Sequence, residues 1–144
     1  MAITQAIANT FKQEILVGTH NFTISSGDVF KIALYLGTAT LSSATTTYNN
    51  TGEVATGGGY TQTGISLTNV TPFLDGSTAV VDFDPDVTWS SSTITAGGAQ
   101  IYNSSKSNKT VLVLNFGGDK VSSAGDFTVV FPNPVAATAI IRIA

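Results

Sequence analysis

The chain has no cysteine, one histidine and few charges. Without cysteine there is no disulfide staple, no thiol nucleophile and no thiolate metal site. With His20 alone, every Ser/His/Asp arrangement would depend on that one residue, and beside a helix end a lone histidine ordinarily satisfies a local hydrogen bond. Asp, Glu, Lys and Arg make up 10% of the 144 residues, against roughly 25% in an ordinary soluble domain. The six cations (Lys12, Lys31, Lys106, Lys109, Lys120 and Arg142) are scattered, and the net charge is −3. Nucleic-acid binding needs several cations on one face, so no nucleic-acid partner is expected. No run of eighteen apolar residues exists, so no membrane partner is expected either. The opening "MAITQAIANTFKQEILVG" places Lys12 and Glu14 inside its apolar stretch and is not read as a signal peptide. The Asn-x-Ser/Thr triplets at Asn21, Asn49, Asn69, Asn103 and Asn108 are then accidents of composition.

What remains is apolar and hydroxylated. Apolar residues are 42% of the chain, enough for a folded core, and Ser plus Thr are a quarter of it. Such a surface suits strands and can be packed against neighbours at little desolvation cost, because charges are the expensive groups to bury.

Residues 1–18 carry the one helical pattern. Ile3, Ile7, Phe11 and Ile15 are spaced by four, Ala8 and Leu16 widen the face, Thr4 is placed to cap the start and Gly18 to end it. From residue 20 the period becomes two. "VFKIALYL" (29–36) turns Phe30, Ile32 and Leu34 one way and Lys31, Ala33 and Tyr35 the other. Further strands are expected at 60–70, 77–83, 87–90, 99–104, 110–116, 126–131 and 138–144, with "HNFTI" (20–24) as one more. Turns are expected at 103–110 and 117–126. The reading is a single all-β domain over 1–144: an antiparallel β-sandwich of about eight strands with one N-terminal amphipathic helix. Residues 38–59 form a long arm, and a loop of that length is usually functional or interfacial.

The candidate chemistry is thin. In "DFDPD" (82–86), Asp82, Asp84 and Asp86 alternate and are the one weak metal candidate, through oxygen ligands. Pro85 breaks the strand, and an Asp-Pro turn with carboxylates on backbone N–H groups is the preferred reading. The stretch "YNNTGEVATGGGYTQTGISL" (48–67) has the glycines of a phosphate cradle, but a strand pattern follows where a helix is required. It is read as a structural corner, with Tyr60 anchoring it and Glu53 fixing the loop. Trp89 is read as a core anchor. No cofactor and no enzymatic activity are expected.

Five blocks taken in order resemble a family of small virion structural proteins of tailed bacteriophages. They are "ITQAIANTFKQEILVGTHNF", "FKIALY", "TTTYNNTGEVATGGGYT", "FDPDVTWSSSTITAGGAQIYN" and "VLVLNFGGDKVSSAGDFTVVFP". The resemblance covers nearly the whole chain. It implies a jelly-roll-like sandwich made in the host cytoplasm and carried on the outer capsid surface as a decoration, or cement, protein. The implied partners are the major capsid protein and further copies of the chain, as a dimer or trimer. No catalytic or cofactor residues come with it. The pattern has a cysteine early in the first helix, where this chain has Ala8 and Asn9, so no thiol role carries over. On this reading the helix face (Ile3, Ile7, Phe11, Ile15) and the arm (Tyr48, Glu53, Tyr60) supply the interface. The alternatives are a tail or connector component, or a glycan-binding head-fibre adhesin stacking sugars on Trp89, Tyr48, Tyr60 or Tyr102.

Overall fold

The computed structural model describes residues 2–144. Ten strands and one helix run in the order β1 (Ala6–Ile7), α1 (Asn9–Leu16), β2 (Phe30–Tyr35), β3 (Ile65–Ser66), β4 (Asn69–Asp75), β5 (Thr78–Phe83), β6 (Val87–Ser92), β7 (Thr95–Asn103), β8 (Lys109–Val121), β9 (Gly125–Val129) and β10 (Ile141–Ile143). A five-stranded sheet has the order β1-β8-β7-β2-β3. A three-stranded sheet, β10-β5-β4, and a two-stranded one, β6-β9, complete the molecule. Every strand pair is antiparallel. This is the expected all-β sandwich with one helix, with its strands divided five, three and two where a jelly roll has four and four.

One core unites the layers. Phe30, Ile32 and Leu34 of β2 and Ile101 of β7 meet Phe83 of β5, Trp89 of β6, Phe127 of β9 and Ile141 of β10. Phe22 stacks on Phe30 at 4.3 Å between ring centroids. The opposite face of the large sheet is not left to solvent. Ala33, Tyr35, Tyr102 and Val113 are buried there under Ile3, Ala39 and Leu41, with Tyr48 packed alongside. The period of two in "FKIALY" therefore sorts two buried faces, and the long arm is the cover of the second.

The arm is laced down by main-chain bonds. Thr4 N–H donates to the Leu41 carbonyl at 2.8 Å, Tyr48 N–H to Asn108 at 2.9 Å, Leu36 N–H to Gly52 at 2.9 Å, and Val54 N–H to Leu34 at 2.9 Å. Having covered the outer face, the chain crosses the β2 edge at Glu53–Val54, and Val54 and Tyr60 join the inter-sheet core. The glycine run closes a two-residue hairpin turn. Gly57 and Tyr60 exchange both main-chain bonds, at 2.9 and 3.0 Å, with Gly58 and Gly59 at φ +57° and +84° between them. A Cβ on Gly58 would stand 2.6 Å from the Thr93 carbonyl oxygen, so the turn needs glycine for space as well as for handedness.

Several expectations are corrected. The helix begins at Asn9, not at Thr4, because Ala6–Ile7 pairs with Leu112–Val113 of β8. Ala8 is its N-cap without a side-chain bond. Its end is as expected: Gly18 N–H bonds the Ile15 carbonyl and Thr19 N–H the Glu14 carbonyl, a Schellman closure. Leu16 does not widen the buried face and is 85% exposed. Residues 20–24 form no strand, because Asp28 bonds Asn21 through both its N–H and its carboxylate and folds the segment into a loop. The run 60–70 is not one strand: only Ile65–Ser66 joins β2, while Asn69–Val70 already pairs with β5. Thr63 N–H is drawn to Glu53, and β4 then starts as a separate strand. Pro72 is tolerated in β4 because that strand is a sheet edge with a bulge between Val70 and Phe73. The turn expected at 117–126 starts later: β8 continues to Val121, where Thr95 and Ala96 of β7 provide partners.

Candidate functional site

Glu53 is 5% exposed, and the four tyrosines of the chain gather around it. Tyr48 donates its hydroxyl to Oε2 at 2.6 Å. Tyr60 donates its hydroxyl to Oε1 at 2.8 Å, and Thr63 its N–H to the same oxygen at 2.8 Å. Tyr60's oxygen in turn accepts the Leu34 N–H at 2.9 Å. Tyr102 stacks on Tyr48 at 4.7 Å and donates its hydroxyl to the Thr63 carbonyl at 2.6 Å. Tyr35's hydroxyl has two acceptors in reach of its one proton, the Asn49 carbonyl at 2.6 Å and Gln100 Oε1 at 2.8 Å. Burial first, and then the Glu53 carboxylate, hold the phenols protonated: Tyr102 is pushed up to about 12, and Tyr35, Tyr48 and Tyr60 still higher. The arrangement pins the arm where it crosses the sheet edge.

The second polar cluster joins the helix to the β7–β8 turn. Glu14 is buried, with Oε2 2.7 Å from His20 Nε2 and Oε1 3.3 Å from Lys109 Nζ. Asn103 Oδ1 accepts the Ser105 N–H at 3.0 Å, which leaves its NH2 group for Asp28 Oδ2 at 2.8 Å and His20 Nδ1 at 3.0 Å. Nδ1 is therefore the acceptor and Nε2 carries the proton toward Glu14. The imidazole side chain has no exposed surface and packs 4.9 Å from the Phe11 ring, so it ties loop to helix. Long-range ¹⁵N–¹H correlation at neutral pH is expected to show His20 in the Nε2–H form; a bare Nε2 would refute this network.

The aspartates are brought to separate tasks. Asp82 is buried, and its carboxylate takes the N–H groups of Phe83 at 2.9 Å and Ile140 at 3.3 Å; burial pushes its carboxyl up. Asp86 takes the Phe131 N–H at 2.8 Å, while Asp84 is exposed. Among the described residues no group of three metal-ligating side chains forms, and the metal candidate gives way to backbone anchoring.

The interface candidates are largely inside the molecule. Ile3, Phe11, Glu53 and Tyr60 are buried, and Ile7, Ile15 and Tyr48 are half-buried against the cores. Trp89 and Tyr102 are buried too, so no sugar-stacking platform is built from them. Exposed apolar side chains include Leu16 and Val17 at the helix end, Phe73–Leu74 at the β4 end, Val121 and Val130 beside a groove between β8 and β9, and Ile143 in β10. Phe73–Leu74 falls between the strands expected at 60–70 and 77–83, Val121 in the turn expected at 117–126 and Val130 in the strand expected at 126–131. No family model, curated protein or solved structure matches the chain.

Proposed function

We propose that the chain is a bacteriophage capsid decoration protein that sits on the outside of an icosahedral shell and clamps adjacent major capsid subunits. The observation that carries the reading is the surface. It is low in charge and rich in hydroxyls, and exposed apolar side chains stand at Leu16–Val17, Phe73–Leu74, Val121 and Val130. Such surfaces suit wet, hydrogen-bonded contacts repeated over many copies. The arm and helix support the reading in a different way from the one expected of them. They are fixed to the chain's own cores, and what they add is a rigid body.

Copy number in the purified particle, by gel densitometry against the major capsid protein, tests this. A near-stoichiometric ratio that persists in tail-less heads is expected. A ratio far below one that travels with tails would move the assignment to a tail or connector component.

A further inference from the structure

His20 lies where several segments of the chain meet. Its imidazole packs among Phe11 of α1, Phe22 of the loop that follows and Phe30 of β2, with ring centroids 4.9, 6.5 and 6.3 Å away. The charged groups around it are Glu14 on α1, Asp28 on the loop, Lys106 in the turn between β7 and β8, and Lys109 at the start of β8. Lys109 Nζ is 3.3 Å from Glu14 Oε1 and Lys106 Nζ 3.8 Å from Asp28 Oδ1, so each carboxylate near the ring has a cation of its own. The lysine of β2, Lys31, is bonded to Thr63 Oγ1 at 3.0 Å instead.

Asn103 is not free to turn. Its Oδ1 accepts the Ser105 N–H at 3.0 Å, and its NH2 group is divided between Asp28 Oδ2 at 2.8 Å and His20 Nδ1 at 3.0 Å. A neutral imidazole with its proton on Nε2 completes this set. An imidazolium does not, because both of its nitrogens are donors and Nδ1–H would face the Asn103 NH2 group. Turning the amide over offers Oδ1 to the new proton. It also aims that oxygen's former partner, the Ser105 N–H, at an NH2 group, and takes the donor away from Asp28. A proton on Nδ1 therefore removes the Asn103–Asp28 and Asn103–Ser105 bonds together.

Those bonds fasten the loop of residues 20–29 to the β7–β8 turn. Asp28 closes the loop on Asn21, through its own N–H at 2.8 Å and its carboxylate at 2.9 Å. Next to it, Val29 N–H donates to Ser105 Oγ at 2.8 Å and Ser104 N–H to the Val29 carbonyl at 2.9 Å. The loop carries Phe22 into the core, stacked on Phe30 and 6.2 Å from the Phe83 ring.

We propose that His20 is a proton-operated latch. Neutral, it lets Asn103 hold the loop against the turn. Protonated on Nδ1, it makes Asn103 release Asp28 and Ser105, and the loop loosens around Phe22. Glu14 accepts Nε2–H in both forms, so the ring stays docked on α1 and the change passes to the loop. Histidine ordinarily changes charge between about pH 5 and 8, above the range in which exposed carboxylates take up protons. The latch is a property of the chain and does not depend on the capsid assignment.

Two-dimensional NMR of the full chain from about pH 8 down to pH 5 tests it. The His20 ring carbons, the Asn103 side-chain amide and the Ser105 N–H are expected to move with one midpoint. Hydrogen exchange at the Gly27 and Asp28 N–H groups is expected to accelerate at least about tenfold through it. In Asn103→Ala no NH2 group opposes the proton, and the His20 midpoint is expected to rise by about one pH unit, the worth of one hydrogen bond. His20→Gln keeps a donor for Glu14 and an acceptor for Asn103 without titrating, and its loop is expected to hold over the whole range. A ring that titrates while Asn103 and Ser105 stay unchanged overturns the proposal, as does a ring that stays neutral until the whole chain unfolds. So do a midpoint in Asn103→Ala no higher than the parent's and a His20→Gln loop that loosens as the parent's does. Should His20→Gln fail to fold, the parent titration and Asn103→Ala decide alone.

Discussion

Titrated into alkali, the protein is expected to unfold in one cooperative step above about pH 11, with phenolate absorbance appearing in that same step. The cause is the tyrosine cluster around Glu53. In the unfolded chain each phenol releases its proton near pH 10. In the fold Tyr102 is raised to about 12 and Tyr35, Tyr48 and Tyr60 further, by burial and then by the neighbouring carboxylate. Below pH 10 both states keep their protons and the stabilisation is complete. Above it the unfolded state releases protons that the native state retains, so stability falls as pH rises. Each retained proton costs about 1.4 kcal/mol per pH unit. Counting only Tyr35, Tyr60 and Tyr102, each 2% exposed or less, the slope is about 4 kcal/mol per unit. A domain stability of roughly 5–15 kcal/mol is exhausted within a few units at that slope, and sooner with the remaining tyrosine. Absorbance at the phenolate band and far-UV circular dichroism, recorded together, check this. Phenolate forming gradually from pH 10 in a chain that keeps its fold would mean the cluster is wet.

Replacing Glu53 by alanine is expected to cost about 4 kcal/mol, because it strands the hydroxyls of Tyr48 and Tyr60 and the Thr63 N–H, at roughly 1–3 kcal/mol for each buried group left unpaired. The sum is less than additive, since the cluster can relax as a unit. Glu53→Gln keeps an acceptor for Tyr60 and Thr63 and lets Tyr48 accept from the new amide, so it is expected to cost well under half as much. Urea denaturation gives both values. The structural signature is local: in Glu53→Ala, proteolysis within residues 38–52 is expected to accelerate before global unfolding, because this pin holds the arm over Tyr35 and Tyr102. Equal stability in the two variants would show that the carboxylate's hydrogen bonds contribute nothing to holding the arm.

The strands around Phe30–Tyr35, Val80–Phe83 and Ile101–Tyr102 were legible because each is a short alternating run bounded by turn residues. The helix was misread at its start for a reason periodicity cannot reveal. Ile3 and Ile7 fit the same four-residue spacing as Phe11, but Ala6–Ile7 is taken into the sheet by Val113 and Leu112, over a hundred residues away. Glu53 was readable as a fixing group near Tyr60, but not as the meeting point of all four tyrosines, whose positions span residues 35 to 102. The same holds for His20, whose partners Glu14 and Asn103 arrive from a helix and a distant strand end.

By itself, then, the sequence determined the class of the protein: an alternating, hydroxyl-rich, weakly charged chain with turn residues at short intervals has an all-β sandwich as its economical way to bury its apolar half. The tertiary structure decided which of its features face outward. Burial depends on what the rest of the chain lays over a residue, and local spacing carries no record of that. The arm expected to reach for a partner closes the second face of the large sheet instead. Exposed apolar side chains are left at other places, Leu16 at the helix end and Leu74, Val121 and Val130 at strand margins among them.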